Sequence, residues 1–411
     1  LEERLSLLNR NRRDAHARQA TLRRAIDDSW RLLDEDAAEV LRRCALFRGG
    51  FDLEAADAVV GRDALMGLQD LRDRSLVWLP APGRFALYES IRVFAEEQLN
   101  EDERKAVESH HAAHYLGLAA PHVAHFEATG QLAEGLAVEH QNLLAVLERG
   151  IAAQDPSRAR AAILALGPHF KTRGPVRRQA EWLDRVLALE PPAPEALWVE
   201  RGAALRTLGR AEEAEADLKA SLQSDEPGLR MVALKELGLI HHNRREIEAA
   251  RERYSAARAL AEASEHRRHL AILTGNLGAL DHDVGRFEAA QEAYDQALDL
   301  LREVGDRRLE GIFLVNAAVL AHEEGRLETA RLGYGRGLEL LAEVDRRFEA
   351  IARGNLAVLD HEEGNLDAAA DGHEAALNAL VRFGDLHSEA LARARLAAVR
   401  ATRGELEEAV R

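Results

Sequence analysis

Beyond about Trp198 the apolar and polar positions of this chain follow helical spacing and start again roughly every 40 residues. A small residue precedes each turn at Gly238, Gly278, Ala318, Ala357 and Ala397, where a larger side chain would wedge the two helices of a unit apart. The second helix carries Ala250, Ala290, Ala330, Ala369 and Ala409, with a ring four residues later at Tyr254, Tyr294, Tyr334 and His373. Ala257, Ala297, Gly337 and Ala376 follow three residues after the ring, so small, large and small form one helical stripe. Gly285-Arg286-Phe287 returns as Gly325-Arg326-Leu327 and Gly364-Asn365-Leu366, which marks the turn. Such repetition predicts a stack of helix pairs that binds rather than catalyses.

The first hundred residues are patterned differently. Residues 21–33 read as an amphipathic helix (Leu22, Ile26, Trp30, Leu33), and Asp34 is placed to cap a second bearing Val40, Leu41, Cys44 and Leu46. Gly49-Gly50 breaks the chain, helices follow over residues 53–60 and 65–71, and residues 75–79 and 84–87 read as strands around Pro80-Ala81-Pro82-Gly83. Helices followed by a hairpin predict a winged helix-turn-helix over residues 1–104. Residues 105–190 read as a helical connector, with helix ends at Gly167-Pro168 and Gly174-Pro175, and Pro191, Pro192 and Pro194 open the regular array of residues 191–411. The expected fold is therefore all-α: a winged helix with a small β-hairpin followed by an α-solenoid.

Charge and cysteine content narrow the partners. A net charge of −16 argues against nucleic acid along the array, because phosphate binding needs clustered Lys and Arg. Arg62, Arg72 and Arg74 are balanced by Asp63, Asp70 and Asp73, and Arg10, Arg12 and Arg13 read as a solvated linker, so DNA is not an expected partner. Cys44 is the only cysteine, which excludes a disulfide framework and reads as a core residue of a cytoplasmic protein. No run of about 18 apolar residues suggests a membrane span.

At the repeated residues the chain resembles the tetratricopeptide repeat, usually about 34 residues long; the extra residues here fall in a longer second helix and its exit, at Gly305-Asp306 and Gly384-Asp385. Gln19-Ala20-Thr21-Leu22-Arg23, residues 26–30, Phe47-Arg48-Gly49-Gly50-Phe51, Leu76-Val77 and residues 84–92 resemble the winged-helix module of the signal-transduction ATPases with numerous domains (STAND), and Glu139-His140-Gln141-Asn142-Leu143-Leu144 resembles the start of the helical region before their repeats. The resemblance implies an ATPase domain upstream as intramolecular partner, holding ATP or ADP, and self-association on activation. Where that family has a Met-His-Asp nucleotide-sensing motif this chain has Leu87-Tyr88-Glu89, so Tyr88 replaces the sensing histidine and Glu89 keeps an acceptor. A phosphate-binding loop needs Gly-Lys-Ser or Gly-Lys-Thr, yet none of Lys105, Lys171, Lys219 and Lys235 follows glycine. The chain is expected to be no enzyme and to hold no cofactor. It begins at Leu1 and stops at Arg411 inside a second helix, as the excised arm and sensor of a longer protein would.

Two positions before the small residue stand Glu236, Asn276, Asn316, Asn355 and Arg395, and the resemblance puts that column in the groove of the repeats. An asparagine amide both donates and accepts, so Asn276, Asn316 and Asn355 suit the backbone of an extended peptide. Four positions after the small residue stand His242, His282, His322 and His361, followed by Asn243, Asp283, Glu323 and Glu362, giving a histidine row beside an acidic row. The duller reading has the asparagines bond to neighbouring turns and the histidines cap helix ends. Zinc-protease chemistry is excluded because no second histidine follows His322-Glu323-Glu324 or His361-Glu362-Glu363 at the needed spacing, and His110 and His114 lack further ligands. A ligand sensor, a passive scaffold of repeats and a DNA-binding regulator are the functions in play, the first favoured.

Overall fold

The computed structural model describes residues 22–189, 194–342, 344–383 and 386–405. The positions Arg10, Arg12, Arg13, Gln19, Ala20, Thr21, Pro191, Pro192, Gly384, Asp385 and Ala409 singled out above lie outside them. The chain forms two compact units. One comprises Leu1–Ala119, Val138–Ala153 and Ser157–Ala162; the other comprises Ala120–Ala137, Gln154–Pro156 and Ile163–Arg411. The connector of residues 105–190 is thus shared between them.

In the first unit, α1 (residues 22–30) ends three residues before the apolar pattern does, and Trp30 meets Phe94 edge-on at 5.8 Å. Asp34 caps α2 (Glu35–Cys44) by accepting from the Ala37 N–H at 2.8 Å, and Asp52 does the same for α3 (Leu53–Val60) from Ala55. α4 (Leu65–Asp73) leads to an antiparallel hairpin, β1 (Val77–Ala81) and β2 (Arg84–Leu87), with Val77 opposite Leu87. The first strand starts two residues later than expected because Ser75 takes φ 62° in the turn that leaves α4. Its register breaks between Trp78 and Ala81, around Pro80, which has no N–H for the ladder. α5 (Glu89–Glu97) and α6 (Glu101–Thr129) follow.

Leu41, Cys44, Leu46, Phe51, Val59, Leu68 and Leu71 form the buried centre, and burial raises the Cys44 thiol pKa. Gly50 is irreplaceable in kind: its φ is +93°, and a Cβ would lie 2.9 Å from the Phe85 carbonyl oxygen. That close approach lets Phe51 and Phe85 exchange backbone hydrogen bonds of 2.9 and 2.7 Å. After α7 (Glu134–Val138), α8 (His140–Ala152) brings Asn142 onto the same turn. Its Nδ2 donates to the Gly50 carbonyl at 2.9 Å and its Oδ1 accepts from the Arg48 N–H at 2.7 Å, with no exposed surface left.

α9 (Pro156–Arg173) corrects one expectation: Gly167-Pro168 lies inside this helix rather than at its end, although Gly174-Pro175 does terminate it. Burial of Ile163, Leu166 and Phe170 on one face offsets the hydrogen bond that proline removes. The second unit continues with α10 (Val176–Leu187), α11 (Glu195–Thr207) and α12 (Ala211–Ser221). Paired helices follow: α13 (Pro227–Asn243) with α14 (Ile247–Ala263), α15 (Arg267–Asp283) with α16 (Phe287–Val304), α17 (Arg307–Glu323) with α18 (Leu327–Leu341), and α19 (Arg346–Glu362) with α20 (Leu366–Phe383); α21 (Leu386–Thr402) packs on α20.

The turn inside each pair passes through a left-handed residue: Gly209, Arg245, Gly285, Gly325 and Gly364, with φ of 61–84°, and Gly404 has the same conformation after α21. The rings Tyr254, Tyr294, Tyr334 and His373 are at most 1% exposed; Tyr254 and Tyr294 lie against Gly238 and Gly278 of the partner helix, and Tyr334 shares a core cluster with Ala318. At Gly238 a Cβ would fall 2.4 Å from Tyr254 Cε1, so the absence of a side chain sets the distance between the two helices. Gly305 ends the long α16 with φ 74°.

First helices also touch first helices of neighbouring pairs (α15 with α17, α17 with α19, α19 with α21), which puts them on the inner side of the stack. Two fully buried carboxylates fasten that side. Asp306 accepts from the Leu309 N–H at 2.9 Å and from Arg268 Nε at 2.7 Å. Asp345 accepts from the Arg347 and Phe348 N–H groups at 3.1 Å and from Arg308 Nε at 2.6 Å. Each cap is therefore neutralised by an arginine of the preceding first helix.

Candidate ligand-binding groove

The column two positions before the small residue runs along the first helices, and its chemistry changes from one end to the other. Glu200, at the equivalent place in α11, bonds to Lys171 Nζ at 2.6 Å. Glu236 accepts from Arg206 Nε at 2.7 Å and pairs with Lys235 at 2.9 Å. Burial opposes ionisation there, yet these two cations hold its carboxyl below the usual carboxylate range. Asn276 and Asn316 are half-buried, and their side-chain amides have no hydrogen-bond partner among the described residues. Asn355 Oδ1 accepts from Arg395 Nη1 at 3.0 Å.

The histidine and acidic rows meet each other. His242 Nε2 bonds to Asp283 Oδ2 at 3.0 Å, His282 to Glu323 at 2.9 Å and His322 to Glu362 at 2.8 Å. His361, at the end of the row, bonds to Thr402 Oγ1 at 3.0 Å. Each imidazole thus reaches one repeat onward, and Asp283 also accepts from Arg245 Nη1 at 2.6 Å. His242 and His322 lie edge-on to Tyr254 and Tyr334. Three of the four histidines are consequently linked to carboxylates as a ladder across successive first helices; Asn243 takes no part in it.

Between α17, α19 and α21 an open cleft of about 410 Å³ remains. His322, Glu323, Asn355 and Glu362 line it together with Val319, Val358, Tyr334 and Arg395. It combines apolar walls with an amide, a guanidinium and two carboxylates. Asn276, His242, His282 and Asp283 belong to the same rows nearer the N-terminal side and do not line the cleft; neither do Asn316 of α17 and His361 of α19.

In the first unit Tyr88 is exposed and stacks on Trp78 at 5.9 Å, while Glu89 is bound by Arg92, whose Nε donates to it at 2.9 Å. The cations near α4 are also paired: Arg62 with Glu39, Arg72 with Asp73 and Arg74 with Asp70. Among the described residues no group of His, Cys, Asp and Glu is arranged to hold a metal ion, and no helix is long and apolar enough to cross a membrane.

Two features escape a reading by single columns. The Arg268–Asp306 and Arg308–Asp345 clamps join different columns of adjacent repeats; the signal is an Arg and an Asp each recurring at the repeat spacing. The place of Arg395 in the cleft follows only once its column is known to end there.

No family model matches the chain. The crystal structure of a signal-transduction ATPase with numerous domains (STAND) that carries a tetratricopeptide-repeat sensor, from Pyrococcus horikoshii, superposes with a TM-score of 0.58 at 14% identity. The match covers 92% of this chain and 56% of that one, and at this identity it establishes the helical-repeat fold alone. Two proteins named as HTH-type transcriptional regulators, from Mycobacterium tuberculosis and Mycobacterium bovis, are each 39% identical over 129 residues, 29% of this chain. The chain spans about 15% of the length of these relatives.

Proposed function

We propose that this chain is the sensing arm of a STAND-type signalling ATPase, in which the inner face of the repeats holds a protein or peptide ligand. The cleft among α17, α19 and α21 carries this reading, because it brings Asn355, Arg395, Glu323 and Glu362 together around one open space on the inner side of the repeats. The free amides of Asn276 and Asn316 extend it along one line, as an extended backbone requires.

The remaining parts of the proposal rest on fold likeness. The helices and hairpin of the first unit act as a winged-helix arm docked on an upstream nucleotide-binding domain, the repeats at residues 191–411 act as the sensor, and ATP or ADP belongs to that upstream domain in the cytoplasm. Ligand binding then biases the switch through the arm and permits self-association. DNA contact is not part of this reading, since the arginines near α4 are already satisfied by carboxylates.

The test uses the longer protein with its nucleotide-binding domain and a random octapeptide library. Peptides should be captured by the native protein, lost when Asn276→Ala and Asn316→Ala are combined, and should change the release rate of a fluorescent ADP analogue severalfold. Capture with unaltered release means a passive scaffold instead.

A further inference from the structure

We infer that residues 126–131, the end of α6 and the turn behind it, form a latch on the Arg268–Asp306 clamp that ties two successive repeats to the helix begun in the first unit. The inference goes beyond the ligand reading, since it concerns a joint within the chain and needs no ligand.

α6 changes its role along its length. Val107, His111, Tyr115 and Ala119 are buried at four-residue spacing in the first unit. From Ala120 the helix belongs to the second unit, and at that crossing Pro121 has no N–H to offer the Gly117 carbonyl. Over residues 120–133 only Phe126 and Gly130 are buried. What holds this stretch to the repeats is a short set of contacts with residues far along the chain.

The set falls on one place. The Arg268 guanidinium lies 5.8 Å from the centre of the Phe126 ring, and its Nη1 donates to the Glu127 carbonyl at 3.4 Å. Gln131 Nε2 donates to the Gly305 carbonyl at 2.7 Å. Between them Gly130, at φ +70°, follows α6 against Asp306, and a Cβ there would collide with the Asp306 carboxylate. Arg268 lies at the start of α15, whereas Gly305 and Asp306 lead into α17, so the segment bridges two repeats.

The neighbouring clamp shows what the latch supplies. Arg308 lies 5.6 Å from the ring of Phe348, three residues after Asp345. Three residues after Asp306 stands Leu309, and the ring beside Arg268 comes instead from Phe126. The first clamp is thus completed by α6 and the second by its own repeat. A hold of one buried ring, one glycine and two hydrogen bonds to carbonyls is of the kind that opens locally, without global unfolding. A change in the spacing of α15 and α17 therefore pulls on α6, and by linkage the release of α6 loosens that junction.

Hydrogen exchange of this chain, read by mass spectrometry, tests the tie from both sides. Gly130→Asp sets a second carboxylate against Asp306. It should speed exchange at least tenfold over residues 120–133 and, through the clamp, in the first two turns of α15 and α17, leaving α12 and α20 as in the native chain. Arg268→Met should speed exchange over residues 120–133 in return. Gln131→Ala removes one hydrogen bond and should give the Gly130→Asp pattern more weakly, which decides the matter if Gly130→Asp exchanges throughout. Faster exchange confined to residues 120–133, with α15 and α17 unmoved, would mean a loose end and no latch. No change in any variant, or residues 120–133 exchanging in the native chain as fast as an unfolded peptide, would overturn the inference as well.

Discussion

The buried clamp at Asp306 yields the sharpest stability prediction. Asp306 has no exposed surface, and the Arg268 side chain it holds is 12% exposed. Asp306→Ala removes the cap on α17, worth about 1 kcal/mol, and strands a withdrawn guanidinium, which costs roughly 3–5 kcal/mol. The expected loss is therefore about 4–6 kcal/mol in the coupling of α17 to its neighbours. Arg268→Met alone leaves the cap in place but the carboxylate unneutralised, and should cost roughly 3 kcal/mol. Combining the two removes the buried charge altogether, so the double variant should be more stable than Asp306→Ala. Urea unfolding followed by circular dichroism, with hydrogen exchange read over α17, measures the cycle; in a solenoid the weakened junction should also split the transition in two. A double variant no more stable than Asp306→Ala, or a loss below about 1 kcal/mol, would mean that Asp306 and Arg268 do not form a buried charge clamp.

Three further outcomes are expected. Asn142→Ala leaves the Arg48 N–H without its partner and removes one of the two side-chain donors to the Gly50 carbonyl, the other being Arg84 Nη2 at 3.0 Å, and should destabilise the first unit by roughly 1–3 kcal/mol in thermal melts. Burial, aided by the charge of Arg395 and then His361, lowers the His373 pKa to about 4, so the fold favours the neutral ring; stability is intact above the unfolded value near 6.5 and falls as the pH drops toward 4. His373→Tyr, which restores the ring of the other repeats, should flatten that acid limb in melts between pH 7 and pH 4. Gly238→Val should destabilise α13 against α14 by about 1–3 kcal/mol, because its Cβ would meet Tyr254 Cε1 at 2.4 Å, whereas the same change at Gly335, with nothing within 4 Å, should cost less.

The parts of the fold legible in the sequence are those set by one column at a time. Tyr254, Tyr294 and Tyr334 are buried beside small residues, as their spacing implies, and Asp34 caps α2 because a short acceptor precedes an apolar stripe. Pro168 misled because its local penalty is outweighed by tertiary burial of Ile163, Leu166 and Phe170. The histidine and acidic columns were visible, but their bonding was not: His282 reaches Glu323 in the next repeat, and the rise between repeats is a property of packing. Asn142 is harder still, since its partners at Arg48 and Gly50 lie more than 90 residues away.

A ligand held by the inner face of the first helices should shield their amides from solvent, which hydrogen–deuterium exchange of the chain with and without a captured octapeptide would show. Slowed exchange in α17, α19 and α21, with α14 and α16 unchanged, is the predicted result; protection confined to the second helices, or to the first unit, would contradict it.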